Sequence, residues 1–263
     1  MWRFIIFMAN NLLIHLPINK RLVWYLAAEE YFAKNIHVLK QKFYKGTEYD
    51  DEGICGIYFT WIVSPTVIFG RHQVMANEVN IPFCEANDIA MYRRKSGGGC
   101  VYADKGNLMV SYISTSSHSE QVFQEYLNRM SDCLRNMGYD AVKSTHNDIM
   151  VGEYKVSGNA CFALSDATIV HGTLLYDVDF DALQQSITPS QEKLAKHGVE
   201  SVRQRVMNLK SIANTMNINS IQALAHKVET MWCDQTYLLT KLDIQEIDRI
   251  EQEYLNPDFI HSR

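Results

Sequence analysis

Apolar residues recur along this chain on two periods, and each predicts a different kind of element. Between positions 119 and 137, Val122, Phe123, Tyr126, Leu127, Met130, Cys133, Leu134 and Met137 fall at helical spacing, and Gly138 comes next as a natural stop. Such a stripe marks a helix laid against a core. Residues 21–35 predict a second helix with a broad apolar face. The period then shortens. Residues 56–63 are aromatic and β-branched, Ser64-Pro65 interrupts them and residues 66–71 resume, which predicts a strand pair around a short turn. A short Pro-interrupted helix over 77–87 and a strand over 89–93 come after, and the tight turn Asp104-Lys105-Gly106-Asn107 leads into a strand over 108–113.

Downstream, 148–151, 155–164 and 168–176 read as strands, with turns at Gly152-Glu153 and Ser165-Asp166. Helical patterns dominate the remainder, over 179–186, 193–196, 202–208, 220–233 and 243–254. No internal repeat, low-complexity tract or linker composition divides the chain. The expected architecture is a single domain of the α/β (α+β) class, with one mixed, largely antiparallel sheet flanked by helices.

Composition narrows the classes of function. With 47% hydrophobic residues the chain can bury a substantial core, and its net charge of -5 argues against bulk basicity for nucleic acid or membrane binding. Any anion site must be local. The six cysteines, Cys55, Cys84, Cys100, Cys133, Cys161 and Cys233, include no C-x-x-C pair, which fits reduced thiols in a cytoplasmic protein better than a zinc or redox motif. The apolar run from Met1 to Met8 lacks a small-residue cleavage site, and no stretch approaches membrane-spanning length.

One stretch looks built for an anion. Arg93-Arg94-Lys95 runs into Ser96-Gly97-Gly98-Gly99-Cys100-Val101-Tyr102, and glycines let backbone N–H groups close on a phosphate or carboxylate while arginine supplies fixed donor geometry. A glycine-rich turn beside solvated charge is the plain alternative. Asp148 and Lys155 flank a tight turn, where hairpin geometry can bring them together as an oxygen ligand for Mg²⁺ and a cation aimed at a developing anion, or as a surface ion pair. His171 opens an apolar strand, suited to a pocket wall or to the core. Lys193, Lys196, Arg203 and Arg205 add basic charge, ordinarily a solvated face.

Together these stretches resemble the lipoate-protein ligases. Arg93-Arg94-Lys95-Ser96-Gly97-Gly98-Gly99 with Asp104-Lys105-Gly106-Asn107-Leu108, then Asn147-Asp148, Lys155-Val156-Ser157-Gly158-Asn159-Ala160, His171-Gly172-Thr173-Leu174-Leu175 and the segment from Ser201 to Leu209 occur in that family's order and spacing. The resemblance runs from about Leu26 to Leu209 and implies the catalytic fold shared with biotin-protein ligases, as a single catalytic domain over 1–263 with its core at about 36–235. The chain is then expected to lack the family's C-terminal accessory domain, so that either a separate polypeptide supplies it or the chain performs only part of the reaction, such as transfer from preformed lipoyl-AMP.

The implied activity is ATP-dependent, AMP-forming conversion of lipoate to lipoyl-AMP and transfer of the lipoyl group to a lysine of a lipoyl domain. The implied partners are lipoyl domains of 2-oxoacid dehydrogenase E2 subunits or the glycine cleavage H protein. By resemblance, Arg94, Ser96, Gly97, Gly98, Gly99, Cys100, Val101, Tyr102 and Lys155 bind ATP and the acyl-adenylate. Val101, Ala103, Lys155 and His171 form the lipoate pocket, Asn147 and Asp148 lie by Mg²⁺, and Lys155 is the essential lysine. Ala103 stands where the family usually has His and Cys100 where Ala is common, so a reshaped acyl pocket with loose discrimination between lipoyl and octanoyl groups is expected.

A lipoyl or octanoyl transferase working from a preformed acyl-adenylate or an acylated carrier protein is the alternative. The related octanoyltransferases and amidotransferases pass the acyl group through a cysteine thioester, and by that resemblance a cysteine is expected ahead of the lysine motif or after the His-Gly strand. Residues 134–160 contain none and Thr188-Pro189-Ser190 occupies the later position, which leaves Cys161 as the stand-in. A protein that only holds lipoate or a lipoylated domain is a third reading, against which the intact Lys155 and glycine segment argue.

Overall fold

The computed structural model describes residues 11–44, 56–187 and 206–261. Strands β1 (Asn11–His15), β2 (Gly56–Trp61), β6 (Asn107–Ser114), β7 (Ala141–Lys143), β8 (Asp148–Val151), β9 (Tyr154–Ala163), β10 (Thr168–Leu175) and β11 (Gln235–Leu238) form one sheet in the order β11-β1-β2-β6-β10-β9-β8-β7. The β11-β1 and β1-β2 pairs are parallel and the others antiparallel. Period-two alternation sends Ile57, Phe59, Trp61, Met109, Ile113 and Ile169 to one face, and Tyr58, Leu108, Val110, Tyr112, Val170 and Leu174 to the other.

Helices α1 (Leu22–Tyr44) and α7 (Lys241–Leu255) cover the first face, while α4 (Ser119–Asn136) and α6 (Ile221–Trp232) cover the second. The expected stripe of α4 is buried, and Gly138 ends that helix at φ +95°, a conformation glycine adopts without strain. In α1, every residue from Leu22 to Glu30 is buried, because the helix is wedged between the sheet and α7.

Beside the expected mixed sheet lies a second, smaller one. Strands β3 (Thr66–Phe69), β4 (Ala90–Arg93) and β5 (Val101–Ala103) pair in the order β4-β3-β5, apart from β2. The Ser64-Pro65 break is therefore a switch between sheets and not a hairpin turn. Pro65 offers no N–H, and its carbonyl accepts from Ala90 at the head of β4. The expected Pro-interrupted helix is two short ones, α2 (Met75–Glu78) and α3 (Ile81–Ala86). With α5 (Phe180–Ser186), they pack against the small sheet around a third cluster that includes Val67, Phe69, Cys84 and Tyr102.

The sequence pattern did not reveal β1, β7, β11 or the last helix, α8 (Pro257–His261). The helix expected over 193–196, the basic residues Lys193, Lys196, Arg203 and Arg205, and Cys55 fall outside the described residues. Of the helix expected over 202–208, residues 206–208 are described and are extended, with Val206 bridging to Lys155. Among the described residues, no helix is long and apolar enough to cross a membrane.

Helix α7 begins with a capping box between Thr240 and Asp243. The Asp243 carboxylate also accepts from the hydroxyls of Tyr31 and Tyr237, the latter at 2.8 Å, tying α7 to α1 and β11. Burial pushes this carboxyl up, but donors from Tyr31, Thr240 and Tyr237 outweigh that and hold it below its ordinary value. A depressed folded-state value means stability that is complete above the unfolded carboxyl's range and is lost as pH falls through the folded value. Asp243→Asn should lower unfolding free energy by about 1–3 kcal/mol at pH 7, with the difference from wild type shrinking below about pH 4. Urea unfolding across that range measures it.

Candidate functional site

The site is assembled where the two sheets meet over the N-terminal end of α1. A cavity of about 390 Å³ opens there, within the range of small-molecule sites. Its apolar wall is formed by Leu22, Leu26, Trp61, Ile68, Val101 and Met109, and its polar side by Arg94, Gly98, Gly99, Asn147, Asp148, Lys155 and Thr173.

The loop from β4 to β5 crosses the end of β3 and is shaped by a buried guanidinium. Arg94 Nε and Nη2 donate to the Gly97 carbonyl, Nη2 also to Gly99 at 2.6 Å, and Nη1 to Ile68 at 3.2 Å. Burial lowers the Arg94 value to about 10, so the group remains cationic at neutral pH. The described peptide bonds are trans, and in a trans peptide the C=O and N–H point in opposite directions. With the Gly97 and Gly99 carbonyls turned onto Arg94, the N–H groups of Gly98 and Cys100 point away from it. Gly98 sits at φ +92°, and its carbonyl lies so close to Gly70 that a Cβ there would come within 2.2 Å of it. Arg94 thus sets the loop's shape and contributes charge from behind it, where the sequence suggested direct fixed donors. Arg93 does not reach the cavity: it lies over the Phe69 ring and donates to the carbonyls of Gly70, Arg71, Gln73 and Ile260.

On the opposite wall, β8 and β9 bring Lys155 Nζ to 2.7 Å from Asp148 Oδ1. The register shifts between Ile149 and Met150, leaving Val156 as the extra residue of a β-bulge. Val156 and Ser157 are consequently both buried, while Lys155 lies on the Asp148 face, opposite Met150, and Gly158 lies opposite Asp148. A Cβ on Gly158 would stand 2.7 Å from Lys155 Nζ, so this glycine is the space the lysine crosses. Asn147 and Asn159 lock the neighbouring turn, Asn147 Nδ2 donating to the Asn159 carbonyl at 2.8 Å and Asn159 Nδ2 to the Asn147 carbonyl at 3.0 Å.

His171 is both a wall residue and a satisfied core histidine. Its Nδ1 is 3.0 Å from Glu29 Oε2 and its Nε2 is 2.9 Å from Ser96 Oγ. With Nδ1 donating to the carboxylate, Nε2 accepts from the serine hydroxyl. Glu29 also accepts from Ser111, which in turn accepts from the Trp61 indole.

The fold therefore places Arg94, Gly98, Gly99, Cys100, Val101, Asn147, Asp148, Lys155 and His171 on one cavity. Ser96, Gly97, Tyr102 and Ala103 are outside its lining. Ser96 touches it through His171, and Tyr102 packs in the third cluster. Ala103 is fully buried in the first cluster and does not line the cavity, and an imidazole in its place would overpack the core. Sequence reasoning missed Leu22, Trp61, Ile68 and Met109, whose alternation signals burial but not a cavity. Cys100 lines the cavity, and burial pushes its thiol up to about 12. Cys161, opposite Val170, packs with the second cluster on the other sheet face, and burial raises it too.

The sequence model of the lipoyl protein ligase A/B catalytic domain matches residues 25–228. Lipoate–protein ligase 1 of Staphylococcus aureus is 30% identical over 253 residues, 94% of this chain and 70% of that protein. The lipoate-protein ligase LplJ of Bacillus subtilis is 32% identical over 210 residues, 77% of this chain and 63% of that protein. Among solved structures, the bi-partite lipoate protein ligase of Thermoplasma acidophilum, described with its E2 lipoyl domain, superposes with a TM-score of 0.75 at 24% identity, covering 96% of each chain. Lipoate-protein ligase A bound with ATP gives 0.74 at 22% identity, covering 95% of this chain and 98% of that one. Both structural likenesses establish the fold, including its mixed sheet flanked by helices. With its motifs collinear and most of its length matched, the chain belongs to the lipoyl protein ligase A/B catalytic domain family.

Proposed function

We propose that this protein is a lipoate-protein ligase, activating lipoate with ATP to lipoyl-AMP and passing the lipoyl group to a lysine of a lipoyl domain. The observation that carries the reading is the Lys155–Asp148 pair at 2.7 Å, at the polar end of a cavity whose other end is apolar and whose rim is a glycine loop. Each half of the reaction has a matching wall. The apolar side residues take the acyl chain, and the loop N–H groups of Gly98 and Cys100, backed by the Arg94 charge, take the phosphate.

Attack of the lipoate carboxylate on the α-phosphate of ATP, which breaks the α–β anhydride bond and releases pyrophosphate, brings two anions together, and Lys155 meets that charge from the opposite side of the cavity. When the acceptor lysine attacks the acyl-adenylate carbonyl and AMP leaves, the same ammonium faces the developing oxyanion and the departing phosphate. Asp148 and Asn147 offer hard oxygen donors, the donor chemistry Mg²⁺ takes when phosphates and water complete its shell. Bound there, the ion would neutralise phosphate charge. The acceptors implied are lipoyl domains of E2 or H-protein type, and the free cysteines among the described residues suit a cytoplasmic setting. The bi-partite ligase it resembles supports a catalytic polypeptide that works with a second one.

Incubating the purified chain with ATP, Mg²⁺, lipoate and an apo lipoyl domain, and separately with synthetic lipoyl-AMP, tests both halves by the acceptor's mass. Failure in both arms would remove the ligase reading. Lys155→Ala should fold normally and lose about a hundredfold or more in rate, since a preorganised donor to a developing anion contributes ~3 kcal/mol. Gly158→Ala should leave the fold near wild type yet cut transfer from lipoyl-AMP about tenfold or more, because the methyl displaces the ammonium from Asp148. Cys161→Ser should retain most activity, and mass spectrometry should find no acyl thioester on it. A trapped thioester there would favour the transferase chemistry instead.

A further inference from the structure

Lys95 sits in the basic run but turns its back on the cavity. Its ammonium lies 2.9 Å from Glu30 on α1 and 2.8 Å from Glu253 on α7, and stands 4.7 Å from the centre of the Tyr254 ring. The Tyr254 hydroxyl donates to Glu30, a buried carboxylate. Helix α7 is itself pinned to α1, with Arg21 3.0 Å from Glu251 and the Trp24 indole donating to Asp248 at 2.7 Å. Two residues before Lys95, Arg93 makes a parallel connection, its Nε donating to the Ile260 carbonyl in α8 at 3.0 Å. Both helices lie beyond the residues matched by the family's sequence model.

The glycine loop begins directly after Lys95. Ser96 bonds His171 through its hydroxyl, and its carbonyl accepts from the Arg71 amide at 3.0 Å. An isolated exposed ion pair contributes little, but this cation also lies closest to a buried carboxylate, at 2.9 Å, where the other cation near it, Lys34, stands 3.8 Å away. Burial disfavours the Lys95 charge, and the contacts with Glu253 and Glu30 outweigh it, so its value is raised.

The geometry points to Lys95 as a positioning residue, clamped between Glu30 and Glu253 so that the helix Lys241–Leu255 acts as a strut holding the glycine loop in its anion-ready shape. The structural part stands alone; its consequence for nucleotide binding rests on the proposed ligase function.

The test uses the full chain, wild type against Glu253→Ala and Lys95→Met. Amide exchange is followed at Arg71 and Arg94, whose N–H groups bond the Ser96 and Phe69 carbonyls, and in β6 and β10 as a control. The strut predicts about fivefold faster exchange at Arg71 and Arg94 with β6 and β10 unchanged, and a KM for ATP raised about fivefold with kcat within about twofold. Glu253 is half-exposed, so its variant keeps the test open if Lys95→Met fails to fold. Unchanged exchange at Arg71 and Arg94, or equal acceleration throughout the sheet, would overturn the strut. Altered exchange with an unchanged KM would overturn its role in nucleotide binding. A wild-type protein inert toward ATP and lipoyl-AMP would count against the ligase reading, while the exchange data would still decide the strut.

Discussion

The buried guanidinium of Arg94 is the constraint on which the candidate site depends. Removing a cation from water is costly unless carbonyl oxygens surround it, and here three backbone carbonyls do so, two of them from the glycine loop itself. Because each peptide unit is planar and trans, committing those carbonyls inward commits the adjoining N–H groups outward. The loop is thereby preorganised without a ligand. The cation that satisfies its carbonyls also places positive charge behind its donors.

The opposite wall solves a different problem. A lysine beside an aspartate on a regular hairpin would be an ordinary surface pair, and both side chains are indeed partly exposed. The bulge at Val156 and the missing side chain at Gly158 let the lysine lie along the strand toward Asp148, on the cavity that the glycine loop also lines. Behind both walls, the Glu29–His171–Ser96 chain joins α1 to the central strand β10 and to the start of the loop. Three separate elements are then held at fixed distances around one cavity.

Several residues that share a motif do different work. Arg93, Arg94 and Lys95 are consecutive, yet one braces the turn after β3, one shapes the glycine loop and one ties that loop to α7. Consecutive residues in extended backbone point in different directions, so a run of like charge does not act as a unit. Ala103 shows the converse. Its position beside the motif suggested a place in the acyl pocket, but in β5 it faces the core behind the cavity wall.

The sequence by itself determined what depends on neighbours in the chain. The stripe of Ser119–Asn136, the helices near 179–186 and 220–233, the turn at Gly152 and the approach of Asp148 to Lys155 are short-range consequences of periodicity and hairpin register. The tertiary structure decided which sheet each strand joined, the edge pairing of β1 with β11, and the apolar wall made by Leu22, Trp61 and Met109. It also gave Lys95 its partner Glu253 and Arg93 its partner at Ile260, more than 150 positions away. Alternation states that a side chain is buried, not what it is buried against. Those partners are chosen only when the helices close over the sheet, by which of them satisfy a buried charge or fill a gap.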